Sequence, residues 1–487
     1  MKPPAIPDPA RRRFLYQAPC AALSSISVLS TLLNLRLAGS LAAEDVDGND
    51  CKALVCVFLH GGNDSWNVLV PRGSEYAAYA NARSNLALAE DSLHNLEPPP
   101  PPVDDGRLYG LHPALGEIAA MYNGTGAFAG KRRAAFVTNV GTLIQPTTLP
   151  QYHAGSVPLP KALFSHSDQI EQWQTSVPQG LAQLTGWAGR AADVLHSMNS
   201  GQVSMSISLG GNNVFQVGAQ TGQFVITPQG ALGFVGGSDP NDPRNLLNIK
   251  NRTVKSLVEQ TYRNTMDQAF ATLTKNSVTA QEQFGQVFSS TVLPPAVEAL
   301  FPAGNYLATT LRAVLRTIVA RQALGLRRQT FFTGIGGWDM HGDLLGPHTG
   351  LLTTVSRALH AFQQGIEMLG LHNDVVTFTA SDFGRTLRSN GRGTDHAWSG
   401  NALVIGGPVQ GGRIYGTYPV FDQIGADLFG PLDVGYGGRL LPTTSADVYF
   451  AELLRWFGVP AGSMSYALPN IGNFWNPTGP APLGFLP

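Results

Sequence analysis

Four stretches of the chain carry acidic and imidazole side chains that could share a cation. They are His60 to Asp64 (HGGND), Trp338 to His341 (WDMH), Ser381 to Arg385 (SDFGR) and Thr394 to His396 (TDH). Carboxylate and imidazole together suit a hard or borderline divalent ion: zinc, calcium, magnesium or manganese. Such an ion polarises an ester oxygen and makes a bound hydroxyl or water nucleophilic near neutral pH. Arg385, three residues past Asp382, could grip a tetrahedral anion through its two-pronged guanidinium or serve in a salt bridge. A single Asp after a strand is commonly a cap or turn former, and a single His commonly a structural hydrogen-bonding residue. Their coincidence at several strand ends is what points to a cation. The Asp-Phe-Gly of residues 382–384 has no Gly-rich loop or catalytic-loop motif beside it, so phosphoryl transfer of the kinase kind is set aside.

The elements that must position these groups can be read from hydrophobic patterning. Leu54–His60 (LVCVFLH), Ala134–Val140 and Asp374–Thr379 (DVVTFT) are apolar runs of the kind that forms strands buried on both faces. Short strands are predicted at Val203–Leu209, Gln223–Thr227, Thr330–Thr333 and Ala402–Ile405. Helices are predicted over Pro113–Tyr122, Asp168–Thr175, Leu181–Ser200 and Leu351–Leu369. A final helix, Ser445–Phe457, has Ser445 as its cap. Residues from about 241 to 325 read as mainly helical and are expected to be an insertion. Pro98–Pro102 is a run of prolines expected in an extended loop. Strands alternating with helices imply a mostly parallel central sheet with helices on both faces. In such sheets ligands bind beyond the carboxyl ends of the strands, which is where the Asp and His residues fall.

The chain has 487 residues with 32 Lys+Arg against 33 Asp+Glu, and only 13% are charged. That balance supplies no field to hold a polyanion, so no nucleic-acid partner is expected. With 43% hydrophobic residues the chain is far from the composition of a disordered one. Near the start, Arg11-Arg12-Arg13-Phe14-Leu15 precedes an apolar stretch from Ala18 to about Leu35, and small residues follow at Ser40-Leu41-Ala42. The order is that of an export signal of the twin-arginine type over residues 1–42. It leaves 43–487 as one domain, periplasmic or extracellular, that meets a membrane only through the signal. Cys56 is expected to be buried and Cys51 free, since extended residues five apart lie roughly 16 Å from each other, beyond disulfide reach.

The segments VFLHGGNDSWNVLVP, GWDMHGD, TASDFGRTLRSNGRGTDHAWSG and RLLPTTSADVYFAELLRWFGVP resemble the family known as domain of unknown function 1501. That family is regarded as similar to the alkaline phosphatase–sulfatase superfamily. The resemblance implies an alkaline-phosphatase-like α/β fold. It also implies metal ligands at Asp64, Asp339, His341, Asp382 and His396. Phe383 stands where the superfamily usually has a second His, so a single metal is one outcome. A second site rebuilt from Asp343, His348 or Asp395 is the other. The superfamily places a nucleophile at a helix N-terminus, where free amides steady an anion. By chain order that role falls on Ser165 or His166 in LFSHSDQIEQWQT, with Ser167 as the alternative.

These readings favour a metal-dependent hydrolase acting on small-molecule or polymer esters of phosphate or sulfate. A non-catalytic exported protein that keeps the fold with a degenerate metal site is the second reading, supported by Phe383. An esterase of the α/β-hydrolase type is suggested by the His-Gly-Gly after the first strand. It is excluded because no G-x-S-x-G occurs in the chain.

Overall fold

A computed structural model describes residues 50–98, 106–180, 184–233, 242–422, 429–435 and 437–487. The export-type segment and most of the proline run lie outside the described residues. Two compact units divide at Asp50, and the sheet, its helices and the candidate site all belong to the unit Cys51–Pro487.

The centre of that unit is a ten-stranded sheet. The strands in chain order are β1 (Lys52–His60), β2 (Ala134–Gly141), β3 (Ser206–Ser208), β4 (Phe224–Thr227) and β5 (Gly230–Ala231). They continue with β6 (Arg328–Gly336), β7 (Val375–Ser381), β8 (Gly400–Gly406), β9 (Ile414–Tyr415) and β10 (Thr444–Ser445). The spatial order is β9-β2-β8-β7-β1-β6-β3-β4-β5, with β10 beside β2. Most pairings are parallel; β8 runs antiparallel to both β7 and β2, and β5 antiparallel to β4. Strand β1 is buried along nearly its whole length, which needs cover on both faces. This is the mixed α/β architecture with a large, mostly parallel sheet that the alternation of strands and helices predicts.

The helices that matter here are α1 (Tyr76–Arg83), α2 (His166–Thr175), α3 (Leu246–Val258), α4 (Thr265–Ser290), α5 (Tyr306–Val319), α6 (Leu345–Met368) and α7 (Ala446–Phe457). Helix α7 begins as its sequence requires, with the Ser445 hydroxyl accepting from the Asp447 amide. It lies against β1 and β2, and its Phe450 stacks on Trp187 at a centroid distance of 4.5 Å. Helices α3, α4 and α5 make up the mainly helical stretch expected before β6. Among the described residues no helix is long and apolar enough to cross a membrane. Cys51 and Cys56 are both buried and unpaired.

Several boundaries differ from the sequence reading. Of the helix expected over Leu181–Ser200, residues 181–183 lie outside the described residues, and among the described ones the α-helix runs over Trp187–Leu195. Gly186, just before it, is extended, and a Cβ there would lie 2.2 Å from the Val214 carbonyl oxygen. Strand β6 runs five residues longer than the apolar run on which it was predicted, counting Arg328–Gln329 and Gly334–Gly336. It is paired along its full length to β1, so backbone hydrogen bonds sustain it where side-chain pattern gives no signal. Helix α6 starts at Leu345, six residues before the predicted Leu351, and carries Gly346, Pro347 and Gly350 in its first turns.

Candidate metal centre

Strand register gathers the site. His60 lies level with Gly336 across the β1–β6 pairing, and Leu59 with Ser381 across β1–β7. All three strands therefore end at one edge of the sheet, and Asp339 and Asp382 follow directly. Because β8 is antiparallel, its beginning lies at that same edge, which brings in Asp395 and His396 from the segment before it. That segment is pinned: Arg385 and His396 face each other in an antiparallel bridge, with Gly384 donating to the Trp398 carbonyl and Ala397 to the Gly384 carbonyl. Gly384 has no room for a side chain, since a Cβ would sit 1.7 Å from the Ser399 carbonyl oxygen. Helix α2, packed against β7, delivers His166 as its first residue.

Ligand atoms of His166, Asp339 and His396 all lie within 4.8 Å of one another. Asp339 is the hub. Its Oδ1 is 3.0 Å from His341 Nε2 and 3.2 Å from His396 Nε2, and its Oδ2 is 3.4 Å from His166 Nε2. His341 Nε2 and His396 Nε2 are themselves 3.0 Å apart.

The other nitrogen of each ring is already in use. His166 Nδ1 is 2.7 Å from Asp382 Oδ2, His341 Nδ1 is 2.9 Å from Asp395 Oδ1, and His396 Nδ1 is 2.7 Å from the Phe164 carbonyl oxygen. A carbonyl can only accept, so His396 carries its proton on Nδ1 and presents a lone pair at Nε2. Burial, helped by the charges of Arg385 and His166, holds His396 below the ordinary imidazole pKa against the opposing pull of Phe164 and Asp339. The ring is thus neutral at neutral pH. Asp339 is held below the usual carboxylate range: burial works to raise it, and the hydrogen bond and charge of Arg385 outweigh that. The bonds from Asn390 and His341 do the same for Asp395 against its burial. Ionised carboxylates and a neutral ring are the forms that bind metals.

The Phe164 carbonyl is aimed by strained backbone. Ala162 and Phe164 both have positive φ, 47° and 74°, without being glycine. The ring of Phe383 packs against both imidazoles, 4.7 Å from His166 and 4.6 Å from His396 by centroid, while the two imidazoles lie 4.4 Å from each other. Gly61 closes the floor of the site, its amide donating to Asp382 Oδ1 at 3.1 Å. A Cβ on Gly61 would meet the Asp339 amide nitrogen at 2.5 Å.

The expected site residues thus fall into three groups. Asp339, His341 and His396 meet, and His166, read as a catalytic group, stands with them as a potential donor. Asp382 is 1% exposed; its Oδ2 lies 2.7 Å from His166 Nδ1 and its Oδ1 accepts from the Gly61 amide, so it contacts the ring that reaches the hub. Asp64 is set apart. It is buried against Arg83, whose guanidinium donates to Oδ2, and it lies outside the donor group. Its Oδ1 is buried and has no hydrogen-bond partner among the described residues.

Arg385 is fully buried, and its guanidinium donates to Asp339 Oδ1 at 2.7 Å, to Gly61 O at 3.4 Å and to the Thr394 carbonyl, so it holds Asp339 in place. Ser165 sits at the N-cap of α2 without capping it, and its hydroxyl donates to Asp168 Oδ2 at 2.6 Å, with Ser167 Oγ 3.3 Å away. Sequence reasoning did not find the Phe164 carbonyl or the Gly61 amide, since backbone groups leave no mark in residue type.

The family described as Protein of unknown function (DUF1501) matches residues 51–427. No curated protein matches the chain. Among solved structures the chain is similar to Ps i-CgsB in complex with k-i-k-neocarrahexaose, at 10% identity and TM-score 0.31, covering 88% of this chain and 77% of that one. It is similar to the soluble domain of lipooligosaccharide phosphoethanolamine transferase A from Neisseria meningitidis, at 11% identity and TM-score 0.29, covering 85% and 90%. A mutant of alkaline phosphatase PafA is similar at 12% identity and TM-score 0.27, covering 70% and 64%.

Proposed function

We propose that this chain, which belongs to the DUF1501 family, is a metal-dependent hydrolase of phosphate or sulfate esters that acts outside the cytoplasm. One observation carries the reading: imidazole nitrogens from three separate segments converge on the Asp339 carboxylate, each with its far nitrogen tied to an acceptor. Tying down the outer nitrogen of a ligating ring is the usual support of a metal-binding imidazole. The donor set fits a divalent cation, which when bound would polarise the ester oxygen and lower the pKa of an attacking group. The chain's own residues divide the remaining work. Asp382 fixes the tautomer of His166. Arg385 holds Asp339 ionised and in place. Phe383 presents an apolar wall packed against His166 and His396. Ser165, the N-cap residue directly before His166, is the hydroxyl to which this reading gives the transferred group.

Purified full-length protein should contain a divalent metal and turn over an aryl phosphate or an aryl sulfate, with activity lost on chelation and restored by metal. Metal-loaded protein inert on both classes would overturn the reading. Phe383 favours the second reading, a non-catalytic exported protein with a degenerate site, and the same inert result is what that reading expects.

Export is proposed from the Arg-Arg-Arg-Phe-Leu start. Changing Arg12→Lys and Arg13→Lys together should leave the protein in the cytoplasm of a host that otherwise exports it, read by cell fractionation. Unchanged export of the double variant would remove the proposal.

A further inference from the structure

We propose that the first half of helix α4, together with helix α3, forms a docking face for an anionic lipid surface. The sequence reading expects a membrane contact only through the export signal. This face is a second contact, made by the folded domain itself.

One stripe of apolar side chains runs along α4. Met266, Phe270, Leu273, Ala280, Phe284 and Phe288 recur at steps of three, four or seven residues, which keeps them on one side of the helix. The rest of the fold covers only the far end of that stripe. Phe284 meets Phe224 of β4 at a centroid distance of 5.3 Å, and Phe288 lies under the Arg316 guanidinium of α5. Both rings are buried, and so is Ala280. Toward its N-terminus the helix outruns this cover: Met266, Phe270 and Leu273 are 78%, 71% and 70% exposed. Three large apolar side chains left to water on one helix face mark an interaction surface.

Charge identifies what covers it. From Arg244 to Lys275 the chain carries six basic residues, Arg244, Lys250, Arg252, Lys255, Arg263 and Lys275, against two acidic ones, Glu259 and Asp267. The whole chain has a formal net charge of −1, so the excess of cations is local. Helix α3 has no acidic residue, and it exposes Leu246, Leu247, Ile249 and Leu257 alongside its three basic side chains. Lys255 bonds Glu282 and so fastens α3 to α4.

An apolar stripe set among cations selects its occupant. A second copy of this chain would bring the same cations against themselves. A wholly apolar partner would strip water from the lysines and offer no anion in return. An anionic bilayer supplies both halves: acyl chain for Met266, Phe270 and Leu273, and headgroup phosphate for the basic side chains around them. Lysine and arginine stems can lie along the apolar layer while their charged ends stay at the headgroups. The helix rests on such a surface and does not cross it, since among the described residues no helix is long and apolar enough to do so.

The test uses the full chain, sedimented with vesicles of phosphatidylcholine alone or of an equal mixture with phosphatidylglycerol. Binding to the mixed vesicles should exceed binding to the neutral ones and should fall as salt is added. Met266→Ser, Phe270→Ser and Leu273→Ser combined should weaken it by at least ~10-fold, through the loss of buried CH₂ groups. All three positions are exposed, so folding is not at risk, and an unchanged thermal melt is the control. Lys250→Gln with Lys275→Gln should cost at least ~5-fold on the mixed vesicles, about the worth of one basic residue near an anionic surface. Residues 1–42 are the same in every variant, so the export signal cannot produce these differences. In Phe270→Trp the added emission should shift to the blue when mixed vesicles are supplied. Equal binding to the two kinds of vesicle, or a triple variant that binds as wild type does, would overturn the proposal. So would a wild-type dimer that the triple variant abolishes, which makes a second copy the occupant. Blue emission from Phe270→Trp before any vesicle is added would overturn it too, because the chain then covers the face itself.

Discussion

Replacing Asp339→Asn should lower kcat/KM on the responsive aryl ester by at least ~100-fold, because a lost metal centre costs several kcal/mol of transition-state stabilisation. Asn is the informative replacement. It keeps an oxygen for the Arg385 guanidinium, which is fully buried and would otherwise lose its carboxylate partner. It removes the negative charge that all three imidazoles face. Asp339 is 43% exposed, so the fold should survive, and a thermal melt within a few degrees of wild type is the control. Metal content measured on the same preparation should fall in parallel. Asp382→Asn should behave differently, because Asp382 acts through His166: metal affinity should drop ~10–100-fold, and saturating metal should recover part of the activity. Equal losses in the two variants, neither relieved by metal, would place Asp382 among the direct ligands after all.

Whether a site residue is legible in the sequence depends on whether its partner is near in the chain, or announced by pattern. Strand β1 is legible because LVCVFLH is apolar without alternation, and that pattern has few meanings beside a buried strand. Asp339, His341 and His396 are legible as strand-end residues, since the parallel sheet sends its strand ends to one edge. His396 needed one more fact, that β8 is antiparallel, for a residue before a strand to reach the same edge as residues after the others. His166 was legible as a site residue by resemblance, but its Nε2 aims at the hub only because Asp382 holds the other nitrogen.

Asp64 shows the limit. Its type and position suggest a ligand, and nothing local shows that Arg83 donates to its Oδ2. Arg385 is similar: residue type reveals a fork able to grip an anion, and only the tertiary structure reveals the protein oxygens it donates to. The positive φ of Ala162 and Phe164 belongs to residues that seldom adopt it, so the loop that turns a carbonyl to His396 could not be read from composition.

Arg83→Met should destabilise the protein by about 3–5 kcal/mol, the cost of leaving a buried charge without its partner. Arg83 and Asp64 are 0% and 2% exposed, and the pair joins the end of α1 to the loop after β1. The same guanidinium reaches the Thr386 carbonyl at 3.0 Å, so it also ties both elements to the segment that carries Arg385. Its loss would leave the Asp64 carboxylate buried, with neither oxygen bonded to another side chain. Met fills similar volume, so lost packing contributes little to the effect. The double variant Arg83→Met with Asp64→Leu should recover much of the stability, since a buried ion pair replaced by apolar groups is often neutral. Denaturant unfolding of the two proteins measures this, and metal titration separates it from the centre. If Asp64 serves only this pair, the double variant binds metal as wild type does. Loss of metal with stability restored would mean that Asp64 holds a cation, and that the pairing seen with Arg83 is the state the protein leaves when it does.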